Sequence, residues 1–258
     1  MKYKILPYKM TSKSAKLLAS TLGALRIQDY TRSRYRYRPS HKVINWGLSQ
    51  SHPRVSSEIL LNTYEAVEQA ACKLKTLERL HGNQVPTLEW TEQKSTAEEW
   101  LTPTETSPSK VYCRTLLSSH SGRGIVVAET PEELVEAPLY TKGLTDWEEC
   151  RIHIDKDGTV IDWQRKLRRN GATSSTNIRN HSNDYVFCRN VSRPPEEAFE
   201  VSKDAICALG LDFGAVDLAI CAERGPLVLE VNTAPGLEGS TLENYASYFR
   251  NGEDHERS

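Results

Sequence analysis

Three oxygen-bearing side chains lie in, or at the end of, two neighbouring apolar runs in the last fifth of the sequence. Asp217 lies inside the first run, and Glu230 and Asn232 end the second. The turn-forming residues 223–226 separate the runs, which predicts two adjacent strands joined by a tight connection. Carboxylates inside apolar strands are costly to bury unless they are paired or bind a metal. Oxygen ligands converging from neighbouring strands suit Mg²⁺ beside nucleotide phosphates.

The alternative is that Asp217 caps a turn and Glu230 pairs with a lysine. However, residues 229–236 (LEVNTAPG) run from the acid directly into a turn, and Asp217 lies on the preceding strand. This pattern resembles the metal-binding end of ATP-grasp ligases, in which an Asp and a Glu-x-Asn on adjacent strands hold two Mg²⁺ against ATP. The resemblance implies ATP and two Mg²⁺ ions, which Mn²⁺ can replace, with Asp217, Glu230 and Asn232 as ligands.

The composition limits the class of protein. The chain has 258 residues, enough for one large or two modest domains, and a net charge of −1, which argues against a generally nucleic-acid-coating protein. No apolar run approaches the roughly 18 residues of a membrane span, and the N-terminus turns polar at once instead of continuing as a signal peptide. The six cysteines show no CxxC spacing. We therefore expect a cytoplasmic protein with free thiols and no membrane partner.

The order of the predicted elements agrees with the resemblance. Residues 4–8, an amphipathic helix after residue 12 and residues 43–48 indicate a reduced α/β N-terminal domain over 1–62. The resemblance implies an α+β (α/β) ATP-grasp fold with two α+β lobes that clamp ATP. We assign residues 63–141 to the lid and nucleotide lobe, 142–250 to the metal-bearing catalytic lobe and 251–258 to a flexible tail.

Residues 32–38 (RSRYRYR) alternate basic and aromatic side chains. One interpretation is a polyanion contact in which Tyr stacks and Arg pairs with phosphate. The other, which we favour, is an edge strand with its tyrosines packed inward and its arginines in solvent. A nucleic-acid partner is not favoured, and if one exists we expect it to bind at Arg32–Arg38.

Several basic and glycine residues are candidates for holding ATP. A glycine-containing hairpin can offer successive backbone N–H groups to phosphate oxygens, and no GxxxxGK[ST] motif is present. The resemblance implies a flexible loop over ATP and a basic residue before that loop, at Arg114, where lysine is usual. It also implies a nucleotide-binding lysine at Lys73, in a helix that precedes a predicted strand over residues 85–88 (VPTL). The candidates from the loop are Ser121, Gly122, Arg123 and Gly124.

The resemblance also assigns residues between the lobes and in the hairpin that follows. It implies backbone hydrogen bonds from Leu139, Tyr140 and Thr141 to the adenine edge, a phosphate contact from Lys142 and a ribose or adenine contact from Glu149. It implies that Arg151 and Lys166 face the phosphates and the acyl-phosphate, and that Arg179 holds a substrate carboxylate as in RimK-like ligases. Cross-strand charge pairing on a solvated face remains an alternative, a stronger one for Arg165 than for Arg151, and His153 is either structural or substrate-facing.

The function that this resemblance implies is ATP-dependent ligation of a carboxylate to an amine, through an acyl-phosphate, with release of ADP and phosphate. The substrates would be small molecules or peptides, and such ligases are often dimers, so a homodimer is an open expectation. A closer similarity, to small ATP-grasp proteins of tailed phages, rests on the segments VINWG, CRTLLSSHSGRGI, IRNHSN and LEVNTAPGLEGSTL. A phage-encoded protein would act in the host cytoplasm. The alternatives are a kinase of the same fold that phosphorylates a hydroxyl, and a protein that keeps the fold without turnover.

Overall fold

The computed structural model describes residues 2–102, 110–118, 123–169, 179 and 183–255. Within these residues the strands form three sheets, and six α-helices pack against them. In the described part of the chain, no helix is both long enough and apolar enough to cross a membrane.

The N-terminal sheet is parallel, with the order β2-β1-β3-β4. Its strands are β1 (Lys2–Pro7), β2 (Leu25–Arg26), β3 (His41–Trp46) and β4 (Leu60–Leu61), and a 3₁₀ helix over Ser57–Ile59 precedes β4. Helix α1 (Lys13–Thr21) starts after Ser12, whose hydroxyl accepts a hydrogen bond from the backbone N–H of Ala15. The apolar face of α1 packs on the sheet through Leu18. The predicted order strand, helix, strand is confirmed.

The predicted edge strand over residues 32–38 is wrong, because this segment has no regular secondary structure. Tyr35 does pack inward, against the apolar cluster around Leu6 and Val43. Its hydroxyl also lies 3.1 Å from Nδ1 of His41. The segment therefore covers one face of the N-terminal sheet instead of extending its edge.

The largest sheet is antiparallel and has the order β11-β10-β9-β12-β13. Its strands are β9 (Trp147–Asp155), β10 (Val160–Arg168), β11 (Tyr185–Cys188), β12 (Phe213–Cys221) and β13 (Gly225–Asn232). Helix α5 (Glu196–Ala208) packs on one face through Phe199. Helix α6 (Ser240–His255) packs on the other face through Tyr245 and Phe249, together with α1. Helix α6 is longer at both ends than the predicted helix over 242–249.

The predicted helical region 56–80 is broken into two helices, α2 (Tyr64–Ala71) and α3 (Lys73–Gly82). Cys72 between them is extended, with φ −98° and ψ 113°. Lys73 is therefore the first residue of α3, not a residue near the end of a helix. Its backbone N–H donates to the carbonyl of Leu117 at 2.9 Å, which ties the start of α3 to the segment that follows residue 114.

The third sheet, which we call the lid sheet, is antiparallel with the order β5-β8-β6-β7. It consists of β5 (Trp90–Thr91), β6 (Val111–Arg114), β7 (Ile125–Ala128) and β8 (Tyr140–Lys142), with a 3₁₀ helix over Pro131–Glu133. Helix α4 (Lys94–Leu101) covers it through Ala97 and Leu101. The predicted pair of α+β lobes is confirmed. The assigned domain boundaries stay a prediction, although α2 and α3 share their core with the large sheet.

Gly47 brings the end of β3 against the turn that follows Asn232. It has φ +85°, and a Cβ at this position would lie 2.8 Å from the Cβ of Ala234. Gly47→Ala combines backbone strain with a clash, and we expect it to lower the free energy of unfolding by about 2–4 kcal/mol. Urea unfolding of Gly23→Ala is the matched control, because Gly23 has φ +62° and no atom within 4 Å of such a Cβ. Equal losses in the two variants would show that the contact with Ala234 is unimportant.

Candidate active site

The two carboxylates and the amide predicted as metal ligands lie together on the large sheet. Asp217 on β12 is directly opposite Glu230 on β13. The amide nitrogen of Asn232 donates to Oδ2 of Asp217 at 3.2 Å and to Oε1 of Glu230 at 3.1 Å. Among the described residues no group of three His, Cys, Asp or Glu side chains could hold a metal. Any ion here would therefore take two carboxylates and an amide oxygen from the protein.

Asp217 also forms a buried ion pair with Arg151, which lies opposite it on β9. Nε and Nη2 of Arg151 donate to the two carboxylate oxygens at 2.5 and 2.6 Å, and the Asp217 side chain is only 4% exposed. Burial acts to raise the pKa of Asp217, but the charge and hydrogen bonds of Arg151 outweigh burial and hold the pKa below its usual value. The carboxylate is therefore charged without a metal.

Two further cations face Glu230 from other elements. Nζ of Lys73, at the start of α3, lies 4.0 Å from Oε2 of Glu230. Arg114 on β6 donates from Nε to Oγ1 of Thr141 at 3.3 Å. Burial lowers the pKa of both Lys73 and Arg114, and the charge of Glu230 opposes that effect in each case. Two cations from different elements thus act on the Glu230 carboxylate, and both would attract a bound anion.

A cavity of about 450 Å³ opens between the lid sheet, the α2–α3 pair and β13. Its volume lies in the usual range for a small-molecule site. It has a polar part, formed by Lys73, Arg114, Thr141, Glu230 and Asn232, and an apolar part that includes Leu77, Leu88 and Leu229. This division suits a ligand with a charged end and a flat apolar end.

The hairpin β9–β10 adds a second polar group on the same face of the large sheet as Arg151. Lys166 forms an ion pair with the buried Glu149, and the Lys166 side chain is itself only 12% exposed. Burial raises the pKa of Glu149 to about 7, while the charge of Lys166 opposes the rise. The ring of Phe187 lies against both cations, with its centre 4.4 Å from the Arg151 guanidinium carbon and 5.3 Å from Nζ of Lys166. The predicted charge pairing on a solvated face is confirmed for Arg165, which pairs with the exposed Glu148, whereas the Lys166–Glu149 pair is largely shielded from solvent.

Arg179 lies over aromatic rings at the edge of this group. Its guanidinium carbon is 3.7 Å from the centre of the Trp147 ring and 5.8 Å from that of Tyr185. Its charge also acts on Glu149. His153, by contrast, is buried against Tyr245 of α6, with 3.1 Å between Nδ1 and the hydroxyl oxygen, so it is structural.

Three of the residues predicted to contact ATP from β8 and the chain before it lie away from the cavity. Leu139 is buried, and its carbonyl accepts from the backbone N–H of Arg114 at 2.8 Å. Tyr140 packs into the core of the lid, and Lys142 forms an ion pair with Glu89 at 3.2 Å. Side chains alternate between the two faces of a strand, so Thr141 lines the cavity while its two neighbours do not. The predicted contact with adenine runs through the backbone, so side-chain orientation does not test it, and the assignments of Leu139, Tyr140 and Lys142 stay predictions.

The predicted glycine-rich loop is only partly described. Ser121 and Gly122 lie outside the described residues. Gly124 closes the β6–β7 hairpin, since its carbonyl accepts from the backbone N–H of Thr115 at 2.8 Å. Arg123 and Gly124 are not among the residues that line the cavity. The loop's role in phosphate binding stays a prediction.

Sequence reasoning missed several residues of the cavity. Tyr8 and Lys9 follow β1, and Gly47 follows β3, so the N-terminal sheet contributes its carboxyl edge to the wall. Ligands commonly bind at the carboxyl edge of a parallel sheet, and this rule could have identified Tyr8 and Lys9. The apolar positions of Leu88 and Leu229 had no such signal, because both read as ordinary core residues.

Comparison with known proteins agrees with this geometry. No protein-family model matches the chain. A probable alpha-L-glutamate ligase of Coxiella burnetii (strain Dugway 5J108-111) is 33% identical over 136 residues, which are 48% of this chain and 42% of that protein. Another probable alpha-L-glutamate ligase, from Aeromonas salmonicida (strain A449), is 30% identical over 192 residues, covering 69% of this chain and 61% of that protein. The chain thus matches less than two thirds of either relative's length.

A solved structure extends the comparison to nearly the whole fold. The ATP-grasp ligase PsnB, complexed with minimal precursor, Mg and ADP, superimposes with a TM-score of 0.62 at 13% identity, over 92% of this chain and 90% of that chain. At this identity the likeness establishes the fold. The predicted fold is confirmed: the chain has the ATP-grasp fold, and its sequence is similar to proteins named probable alpha-L-glutamate ligases.

Proposed function

We propose that the protein is an ATP-dependent ligase that joins a carboxylate to an amine. The observation that carries this proposal is the cavity in which Glu230 and Asn232 face Lys73 and Arg114 between the lid sheet and the large sheet. It combines a cation site with cationic side chains, and ATP bound with Mg²⁺ needs both. The sequence similarity to proteins named as glutamate ligases supports the same reaction class.

We assign Mg²⁺ binding to Asp217, Glu230 and Asn232. Their two carboxylates and one amide oxygen are hard ligands of the kind that Mg²⁺ prefers. The amide nitrogen of Asn232 donates hydrogen bonds to both carboxylates, which places the three side chains together. We propose two ions, or Mn²⁺ in their place. When bound, the ions would offset phosphate charge during transfer. The PsnB complex with Mg and ADP supports this choice of metal.

The remaining residues would position the reactants. Lys73 and Arg114 hold the phosphates, and Leu229 and Thr141 contact the nucleoside. Arg151, Lys166 and Arg179 lie next to the ligand set and bind the substrate carboxylate as it becomes an acyl-phosphate. An oxygen of the carboxylate attacks the γ-phosphorus and ADP leaves; the amine nitrogen then attacks the acyl carbon, loses a proton and displaces phosphate. Catalysis of this kind depends on positioning and charge rather than on a side-chain nucleophile.

The substrates that we propose are an amino acid or a peptide on each side of the new bond. The relatives named as glutamate ligases support an amino-acid substrate, and PsnB with its precursor supports a peptide. We further propose a cytoplasmic protein, in the host cell if it is phage-encoded, that can act as a homodimer. We do not propose a nucleic-acid partner.

Hydroxylamine tests the acyl-phosphate directly, because it is an amine that accepts many acyl groups. With ATP, Mg²⁺ and a pool of amino acids and peptides, we expect hydroxylamine-dependent ADP release and a hydroxamate detectable by mass spectrometry. A stable phosphoester without hydroxamate would identify the kinase alternative. Absence of ATP binding would favour the non-catalytic alternative.

A further inference from the structure

A second cavity, of about 1070 Å³, lies on the N-terminal sheet beneath the segment 28–38. We call it the arginine cavity. The basic residues that line it are Lys4, Arg26, Arg32, Arg34, Arg36, Arg38 and His41. None of its lining residues is acidic. A chain with a net charge of −1 therefore concentrates positive charge at one place, where it creates a local attractive potential for anions.

Three of these arginines are not neutralised by any residue in the described part of the chain. Arg34, Arg36 and Arg38 are exposed and form no ion pair with any residue that the structure describes. The carboxylate of Asp29, close by in the chain, accepts hydrogen bonds from Thr31 and from the backbone N–H of Arg32. One carboxylate beside five arginines leaves a strong preference for a ligand with several negative charges.

The aromatic side chains help to identify the class of that ligand. Sites for single-stranded nucleic acid combine basic residues with aromatic rings on which bases stack. Tyr35 is the one tyrosine in the lining, and it packs on the apolar cluster while its hydroxyl contacts His41. Tyr30 and Tyr37 are exposed but do not line the cavity. The cavity thus offers guanidinium groups, which bind carboxylates in a bidentate manner, without a stacking surface.

The arginine cavity lies close to the proposed ATP site along one strand. Lys4 lies in the arginine cavity, and Tyr8, just after the same strand, lines the ATP cavity. Four residues of strand span about 13 Å. A peptide of only a few residues could bridge that distance.

We propose that the arginine cavity binds an acidic polypeptide segment, rich in Glu and Asp, that belongs to the protein or peptide substrate. The binding itself is independent of the proposed ligase activity; only the identification of the polypeptide as a substrate rests on that activity. The cavity would hold the acidic segment while a neighbouring part of the same chain reaches the ATP site.

Fluorescence anisotropy with a labelled hexaglutamate peptide tests the binding, in low salt and without ATP. We expect hexaglutamate to bind, hexaglutamine not to bind, and the variant Arg34→Gln/Arg36→Gln/Arg38→Gln to bind hexaglutamate at least about tenfold more weakly. The control variant Lys13→Gln/Lys16→Gln/Arg250→Gln removes the same charge from exposed positions elsewhere and should bind within about twofold of the unmodified protein.

Three results would overturn the proposal: no binding of hexaglutamate, equal binding by the arginine variant, or tighter binding of an oligothymidylate of the same charge than of hexaglutamate. The last result would indicate nucleic acid as the ligand. Hydroxamate formation from a pool of small-molecule substrates, measured with the same variants, reports the ligase activity separately. A failure of one proposal can therefore be distinguished from a failure of the other.

Discussion

Glu230→Gln is expected to lower Mg²⁺-dependent ADP formation by about 100-fold to 1,000-fold, while the protein remains folded. The side chain is 43% exposed and faces the cavity, and the ion pair that it forms with Lys73 spans 4.0 Å. Replacing the carboxylate with an amide of the same shape therefore changes the packing little. Loss of one carboxylate weakens the charge stabilisation of phosphoryl transfer. Removing one group that stabilises a transition state lowers a rate by about this factor. Steady-state ADP release, with thermal unfolding alongside, measures both properties.

Glu68→Gln is the matched control for that prediction. Glu68 is also a half-exposed acid paired with a lysine, Lys75, but it lies on α2 outside the cavity lining. We expect its turnover to stay within about twofold of the unmodified protein, because an exposed ion pair contributes little. Similar activity in both variants would exclude Glu230 from metal binding.

Asp217→Leu is expected to lower the free energy of unfolding by about 3–5 kcal/mol. The change leaves the buried guanidinium of Arg151 without the carboxylate that now accepts two of its hydrogen bonds. Breaking a buried ion pair by removing one partner has a cost of this order. Urea unfolding of the purified variant measures the loss.

A double-mutant cycle tests whether that loss comes from the ion pair. Replacing both partners with apolar residues is often far less harmful than removing one. The variant Arg151→Met/Asp217→Leu should therefore be more stable than the sum of the two single losses predicts. Strict additivity would contradict the ion pair as the cause. In that case the contact with Arg151 would contribute less to the free energy of unfolding than we infer, and the role of Asp217 in metal binding would be unaffected.

The sequence predicts much of the fold because its signals are local. The apolar runs around Asp217 and Glu230, with a turn between them, determine the two strands that carry the proposed ligands. Strand pairing with β9 is not local, so the bidentate contact between Arg151 and Asp217 could not be predicted. Lys73 carried a weak signal, yet the break at Cys72 places it beside Glu230.

Some side-chain orientations could not be predicted, because the sequence leaves the strand faces ambiguous. Tyr140, Thr141 and Lys142 form a strand of three residues, too short for its alternation to show which side chain faces ATP. The structure turns Thr141 inward and pairs Lys142 with Glu89. Residues 32–38 alternate like a strand, but packing of Tyr35 on the sheet face gives an irregular segment instead.

The measurement that tests the central claim most directly is Mg²⁺-dependent ADP release from ATP with pools of amino acids, polyamines and peptides. We expect one carboxylate and one amine together to stimulate release, and a product whose mass equals their sum less one water. Glu230→Gln should abolish both signals. ADP release that yields a phosphorylated hydroxyl compound, with no amide in any pool, would contradict the ligase assignment.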